Sequence, residues 1–226
     1  MPNHVTNRLE IIADNETVQK VMNFLKGVNE EDGTPCHIDF NKIIPMPKEL
    51  LIEASSSGKL GMECLTAMQR KPLYTQDDLA TIQRVEELQE KNRKEVLQLG
   101  ASYLSNLEKY GYPTWYEWSI ATWGTKWNAY DQYLEEPNIL WFNTAWESVP
   151  LLIQKLSEVF PEVELHYAYA DENLGFNVGR GIIQNGEIDM TIPDGGSNEA
   201  FEIMFFVKPD MEEYFELTDE GYKWIA

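Results

Sequence analysis

Residues 4–13, HVTNRLEIIA, alternate as a half-buried strand does, with Val5, Leu9 and Ile11 on one face and Asn7 among them. Asp14 or Asn15 caps the helix that follows, where Val18, Val21, Met22, Leu25 and Val28 form one stripe at helical spacing and Gly27 supplies a stop. The polar turn NEEDGTP then leads to a second expected strand, HIDFNKII (37–44), halted by Pro45 and Pro47. Residues 1–47 thus read as a β-α-β opening.

The pattern changes over residues 48–111, which lack Trp and are rich in helix formers. A short helical piece is expected around Lys48–Ala54, then a flexible break at Ser55-Ser56-Ser57-Gly58. Thr75 with Asp78 makes a capping box. Beyond it, Leu79, Ile82, Val85 and Leu88 begin an apolar stripe that Val96, Leu99, Tyr103 and Leu107 resume, with EELQEKNRKE polar between them. A long helix or a helical pair fits, inserted into an α+β core; the lapsed heptads make a coiled coil a weak alternative.

Six of the seven tryptophans fall between Trp115 and Trp146. Thr114 and Glu117 open a short helix to Trp123, with Gly124 as its left-handed end. Two strands are expected next, 126–134 and 138–146, joined at Glu135-Glu136-Pro137 and apolar on both faces, so the sheet should be covered on both sides. Ser148 is placed to cap the amphipathic helix that Pro161 ends, and residues 163–170 alternate strictly, with Val163, Leu165, Tyr167 and Tyr169 on one side. Asn185-Gly186 is a hairpin turn signal, FEIMFFVKP is apolar without a clear period, and the acidic end is strand-like. This order describes an antiparallel α+β domain over 112–226, forming one compact unit with residues 1–47.

Composition narrows the function classes. The chain is 43% hydrophobic and 25% charged, as in soluble globular proteins, and no run approaches the length of a membrane span. The N-terminus lacks the basic-then-apolar plan of a secretory signal, and two cysteines, Cys36 and Cys64, are too few for a disulfide framework, so a cytoplasmic protein is expected. The net charge is −20, and residues 112–226 hold twenty-one acids against five bases: Lys126, Lys155, Arg180, Lys208 and Lys223. So acidic a half repels nucleic acid and anionic membranes. It serves solubility, or it attracts a basic partner protein.

Catalytic chemistry finds no footing. The three histidines, His4, His37 and His166, stand in no zinc-binding spacing; adjacent Cys36 and His37 are poorly placed as nucleophile and base; no GxSxG context exists. Asp171-x-Asn173-x-Gly175 lacks the rest of a calcium loop, and GFNVGRG has the wrong spacing for a phosphate loop. No metal and no cofactor is expected, and no catalytic residue is assigned. Two features remain as weak candidates for binding. Trp123, Lys126, Trp127 and Asn128 interleave apolar and polar groups at a helix–strand junction, and Arg180 is the only arginine after residue 93. Core packing is the favoured explanation of the tryptophans, and a surface ion pair that of the arginine.

The segments DFNKIIPMP (39–47), the opening MPN…NRL, WYEWSIATWGTKWNA (115–129), FNTAW (142–146) and LGFNVGRG (174–181) resemble the YubB-like family of plasmid- and phage-borne proteins. WGTKWNA is the most specific string, while His4-Val5 departs from the Trp-Cys expected after MPN. The resemblance implies a ferredoxin-like fold, in the sense of β-α-β-β-α-β topology, for the C-terminal part. It implies no activity, since the family has none assigned. The leading expectation is a non-enzymatic interaction protein of mobile-element type, in its sharper form an acidic nucleic-acid mimic that binds a basic host protein. The alternative is a small-ligand binder or enzyme using the Trp123–Asn128 junction with Arg180.

Overall fold

The computed structural model describes residues 3–29 and 33–225. It divides into two compact units, one of residues 1–45 with 120–226 and the other of residues 46–119.

Strand β1 (His4–Ile12) buries Val5, Asn7, Leu9 and Ile11 on one face, as its alternation requires. Helix α1 (Asn15–Leu25) is capped by Asp14, whose carboxylate accepts from the backbone N–H of Glu16 and Thr17 at 2.9 and 3.1 Å. The expected second strand over 37–44 is not one. Its place is taken by a short ribbon of β2 (Gly27–Val28) with β3 (Pro35–Cys36), then one helical turn, α2 (Phe40–Ile43). Alternating Ile38 and Phe40 are both fully buried, which satisfies a strand pattern, but Asp39 Oδ1 accepts from Asn41 N at 2.9 Å and starts a helix. Both edges of β1 are also occupied by other strands, leaving no slot for a strand here. Glu30, Glu31 and Asp32 of the expected polar turn lie outside the described residues.

In the second unit only Lys48–Leu50 forms a 3-10 turn, and the expected break at Ser55–Gly58 is a helix start. Ser55 Oγ accepts from Gly58 N and caps α3 (Ser56–Gln69). Thr75 and Asp78 form the expected capping box of α4 (Gln76–Glu86), and α5 (Glu90–Tyr110) ends on Gly111 at φ 78°. The chain turns between α4 and α5 at residues 87–89, where the apolar stripe lapses. Helices α3 and α5 touch backbone to backbone: a Cβ on Gly61 would stand 2.0 Å from the Val96 carbonyl oxygen, and one on Gly100 2.2 Å from the Gly61 carbonyl carbon. Helix α6 (Trp115–Thr122) carries the chain from this unit back to the first.

The first unit resumes with the hairpin of β4 (Tyr130–Glu136) and β5 (Ile139–Ala145), helix α7 (Pro150–Val159) and β6 (Glu164–Asp171). Val149 rather than Ser148 holds the cap position of α7, and its N–H donates to Tyr167 Oη at 2.9 Å. Next come β7 (Val178–Gln184) and β8 (Glu187–Thr191), joined at Asn185-Gly186 with φ of 47° and 78°, the left-handed pair that a two-residue hairpin needs. Helix α8 (Asn198–Val207) and a hairpin of β9 (Phe215–Thr218) with β10 (Gly221–Trp224) complete the unit.

One six-stranded antiparallel sheet results, in the order β4-β5-β1-β6-β7-β8. Its first four strands with α1 and α7 are the β-α-β-β-α-β set of a ferredoxin-like fold, and the N-terminal strand sits at its centre, between β5 and β6. Phe40 of α2 packs on Phe142, ring centroids 6.0 Å apart, on the face that α7 also covers. Helix α8 covers the opposite face, against Trp141, Ala168, Ala170 and Val178. Its apolar surface extends beyond the side facing the sheet because Phe201 and Phe205 also meet Phe215 and Tyr222 of the terminal hairpin, at 5.0–5.6 Å, while Glu199 and Glu202 stay exposed. Among the described residues no helix is long and apolar enough to cross a membrane.

Candidate functional site

The tryptophan junction is a structural joint. Gly124, at φ 82°, ends the helical segment, and Trp123 turns into the core, where only 3% of it is exposed. Its indole N–H donates to the Ile44 carbonyl at 3.0 Å, and its ring meets Phe40 edge-on at 5.8 Å. Thr125 Oγ1 donates to the Ala145 carbonyl and accepts from Ala145 N, at 2.9 and 3.0 Å, closing the end of β5. Asn128 Oδ1 accepts from Phe40 N and Ala129 N at 2.9 Å, and its Nδ2 donates to Asp39 Oδ1 at 2.7 Å. Gln132, which its sequence context did not single out, grips the same segment through Ile38 N and Ile38 O, both at 2.8 Å. These bonds keep residues 125–129 out of β4, which begins at Tyr130 instead of Lys126. The WGTKWNA string therefore encodes a side-chain lock between α2, β4 and β5.

Lys126 and Trp127 lie at the outer edge of this joint. The Lys126 ammonium stands 4.5 Å from the Trp127 ring centroid and 5.1 Å from that of Trp146, a cation between two indoles. Trp146 adopts φ 72° and is 37% exposed. Nearby, the Tyr130 hydroxyl is 2.6 Å from His4 Nδ1, and burial, then Asp131 and Glu172, push its pKa up to about 12. Asp171, buried at the end of β6, accepts from Asn3, Asn173 N and Asn177 at 2.7–3.1 Å, so the D-x-N-x-G segment is a loop staple. Among the described residues no three His, Cys, Asp or Glu side chains are placed to hold a metal ion.

Arg180 does not join the tryptophan junction. Register places Arg8 opposite both Trp141 and Ala168, and Ala168 opposite Arg180, so all four share the α8 face. Trp123 packs on the other face, through Phe40 and Phe142. The alternative site composed from the sequence is thus divided by the sheet. Arg180 instead stands over Phe206 of α8, guanidinium carbon 3.8 Å from the ring centroid, at a cleft of about 210 Å³ that Arg8, Glu10 and His166 also line. Arg8 approaches the same ring at 5.1 Å and pairs with Glu10 at 2.8 Å. His166 Nε2 contacts Glu164 Oε1 at 2.5 Å. Residues 8 and 180 are joined only by strand register, a long-range property, and the sole hint in the sequence was the polar face of β1 carrying Arg8 beside Glu10.

The acidic residues gather late in the chain. Residues 187–220 contain eleven carboxylates, and each of these residues is exposed: Glu187, Asp189 and Asp194 at and after β8, Glu199 and Glu202 on α8, and the rest from Asp210 to Glu220. The single base in this span, Lys208, is drawn inward; its ammonium donates to the Asp171 carbonyl at 2.7 Å, and burial lowers its pKa. Ile188, Ile192, Leu217 and Trp224 are exposed within or beside the same span, so the surface is acidic with apolar points.

Comparison with known proteins speaks to the fold. No curated protein matches the chain. The crystal structure of a protein Api92 from Yersinia pseudotuberculosis is similar at a TM-score of 0.42 and 11% identity, covering 87% of this chain and 99% of that one. Residues 122–213 match a family model described as the ferredoxin-like domain in Api92-like protein.

Proposed function

We propose that the protein is a non-enzymatic interaction protein whose acidic C-terminal half docks on a basic partner, in the manner of a nucleic-acid mimic. The observation that carries this is the stretch 187–220, with eleven exposed carboxylates and its one ammonium withdrawn to a backbone carbonyl. Such a surface sets up a field that steers a basic protein toward it and that salt screens. Ile188, Ile192, Leu217 and Trp224 supply apolar contact once the surfaces meet. A cytoplasmic, mobile-element setting suits this role, because host proteins that bind nucleic acid offer basic grooves of the required sign.

The test uses a quadruple variant, E212Q/E213Q/E216Q/E220Q, against the native chain. Each immobilised protein is exposed to a panel of purified basic nucleic-acid-binding proteins, at low and high salt and with duplex DNA as competitor. At least one panel member should bind the native chain, be displaced by DNA, and weaken about tenfold or more on neutralisation of the four carboxylates. Capture indifferent to salt, or undiminished in the variant, sinks the reading.

A further inference from the structure

We propose that the cleft on the α8 face is a binding site for a small zwitterion of the α-amino acid class, held by Arg180 through its carboxylate and by Glu10 through its ammonium. Arg8, Ala168 and Arg180 form one cross-strand row on β1, β6 and β7. The Ala168 methyl fills little of the gap between the two arginines, and Phe206 closes the hollow from α8. The two cations differ in charge balance. Arg8 is mostly buried and pairs with one carboxylate oxygen of Glu10, Oε2, at 2.8 Å, whereas Arg180 is exposed and, among the described residues, pairs with no carboxylate. Its guanidinium carbon stands 3.8 Å from the Phe206 ring centroid, which holds the planar fork at the cleft, and such a fork suits bidentate contact with a carboxylate.

A bare anion would be poorly served here. Glu10 lines the cleft, Glu164 lies beyond it in contact with His166, and Asp189 stands opposite Ile182 on the same face. These carboxylates repel an anion and attract an ammonium, so a ligand bearing both charges meets both requirements. Ile182 and Phe206 offer apolar walls, and about 210 Å³ suits a molecule the size of one small amino acid. The cleft lining includes none of Glu212, Glu213, Glu216 and Glu220, the carboxylates on which the docking test turns.

Calorimetric titration of the full chain, in a buffer free of amines and carboxylates, compares valine with isovalerate, which lacks the ammonium, and valinamide, which lacks the carboxylate. Valine is expected to saturate with a Kd on the order of 1 mM, isovalerate to bind about tenfold more weakly, and valinamide not to saturate. Arg180→Gln, at an exposed position, should weaken valine at least about tenfold, and Glu10→Gln should erase its advantage over isovalerate. The quadruple glutamine variant of the acidic surface should bind valine unchanged, which separates failure here from failure of the docking role. No saturation by valine, equal binding of valinamide or isovalerate, or an Arg180→Gln chain that binds normally overturns the proposal.

Discussion

At the scale of single residues, Asn128 shows how a polar group among indoles becomes structural. Its side chain bonds Phe40 N, Ala129 N and Asp39, so Asn128→Ala removes one of the tethers at the start of α2. A loss of about 1–3 kcal/mol in chemical denaturation is expected, with no change in ligand binding at the α8 face. Tyr167 is a second such case, deeper in the core. Its hydroxyl donates to Asn7 Oδ1 at 2.5 Å and accepts from Val149 N at 2.9 Å, so Tyr167→Phe strands two buried partners and should cost about 1–3 kcal/mol. Alkaline stability follows from the same chemistry. Burial raises Tyr130 from 10.0 to about 12 and raises Tyr167 as well, so the folded chain holds protons that the unfolded chain releases. Stability contributed by these phenols is complete below pH 10 and declines as pH climbs toward 12. A denaturation series across that window, with tyrosinate absorbance followed in parallel, checks the sign; flat stability through it would contradict the burial of both hydroxyls.

Among the elements, the local signals were legible and the long-range ones were not. Strand β1, helices α1 and α7 and the Asn185-Gly186 hairpin are encoded by nearby residues through alternation, stripe and turn chemistry. The segment 37–44 was misread because alternating Ile38 and Phe40 serve a buried turn as well as a strand. Helix α8 had no clear period because it is enclosed between sheet and terminal hairpin, and a helix buried on two sides need not be amphipathic. The contact of α3 with α5 was invisible for another reason: Gly61 and Gly100 look like helix weakeners until the two backbones are seen to touch. Gly100→Ala is expected to raise local helix propensity yet destabilise residues 46–119 by about 1–3 kcal/mol, measured by hydrogen exchange within that unit. Greater protection in the variant would show that the helices have room to part.

For the whole molecule, charge is the dominant fact. A chain of net charge −20 repels itself, and the native state concentrates that repulsion. Moderate salt should therefore raise the midpoint of thermal unfolding, by about 2–4 °C for each kcal/mol of repulsion screened. A midpoint that falls or stays level would mean that local ion pairs outweigh the net field. The sequence by itself determined that acidic character, the absence of a long apolar span, the α+β class and most element positions, because each depends on composition or on residues within a few places of one another. Tertiary structure alone decided which residues meet. Strand register divides Trp123 from Arg180, since neighbouring strand positions point to opposite faces and only pairing tells which face is which. The same register brought Arg8, Ala168 and Arg180 into one row, and so moved the candidate ligand site from the tryptophans to the opposite face of the sheet.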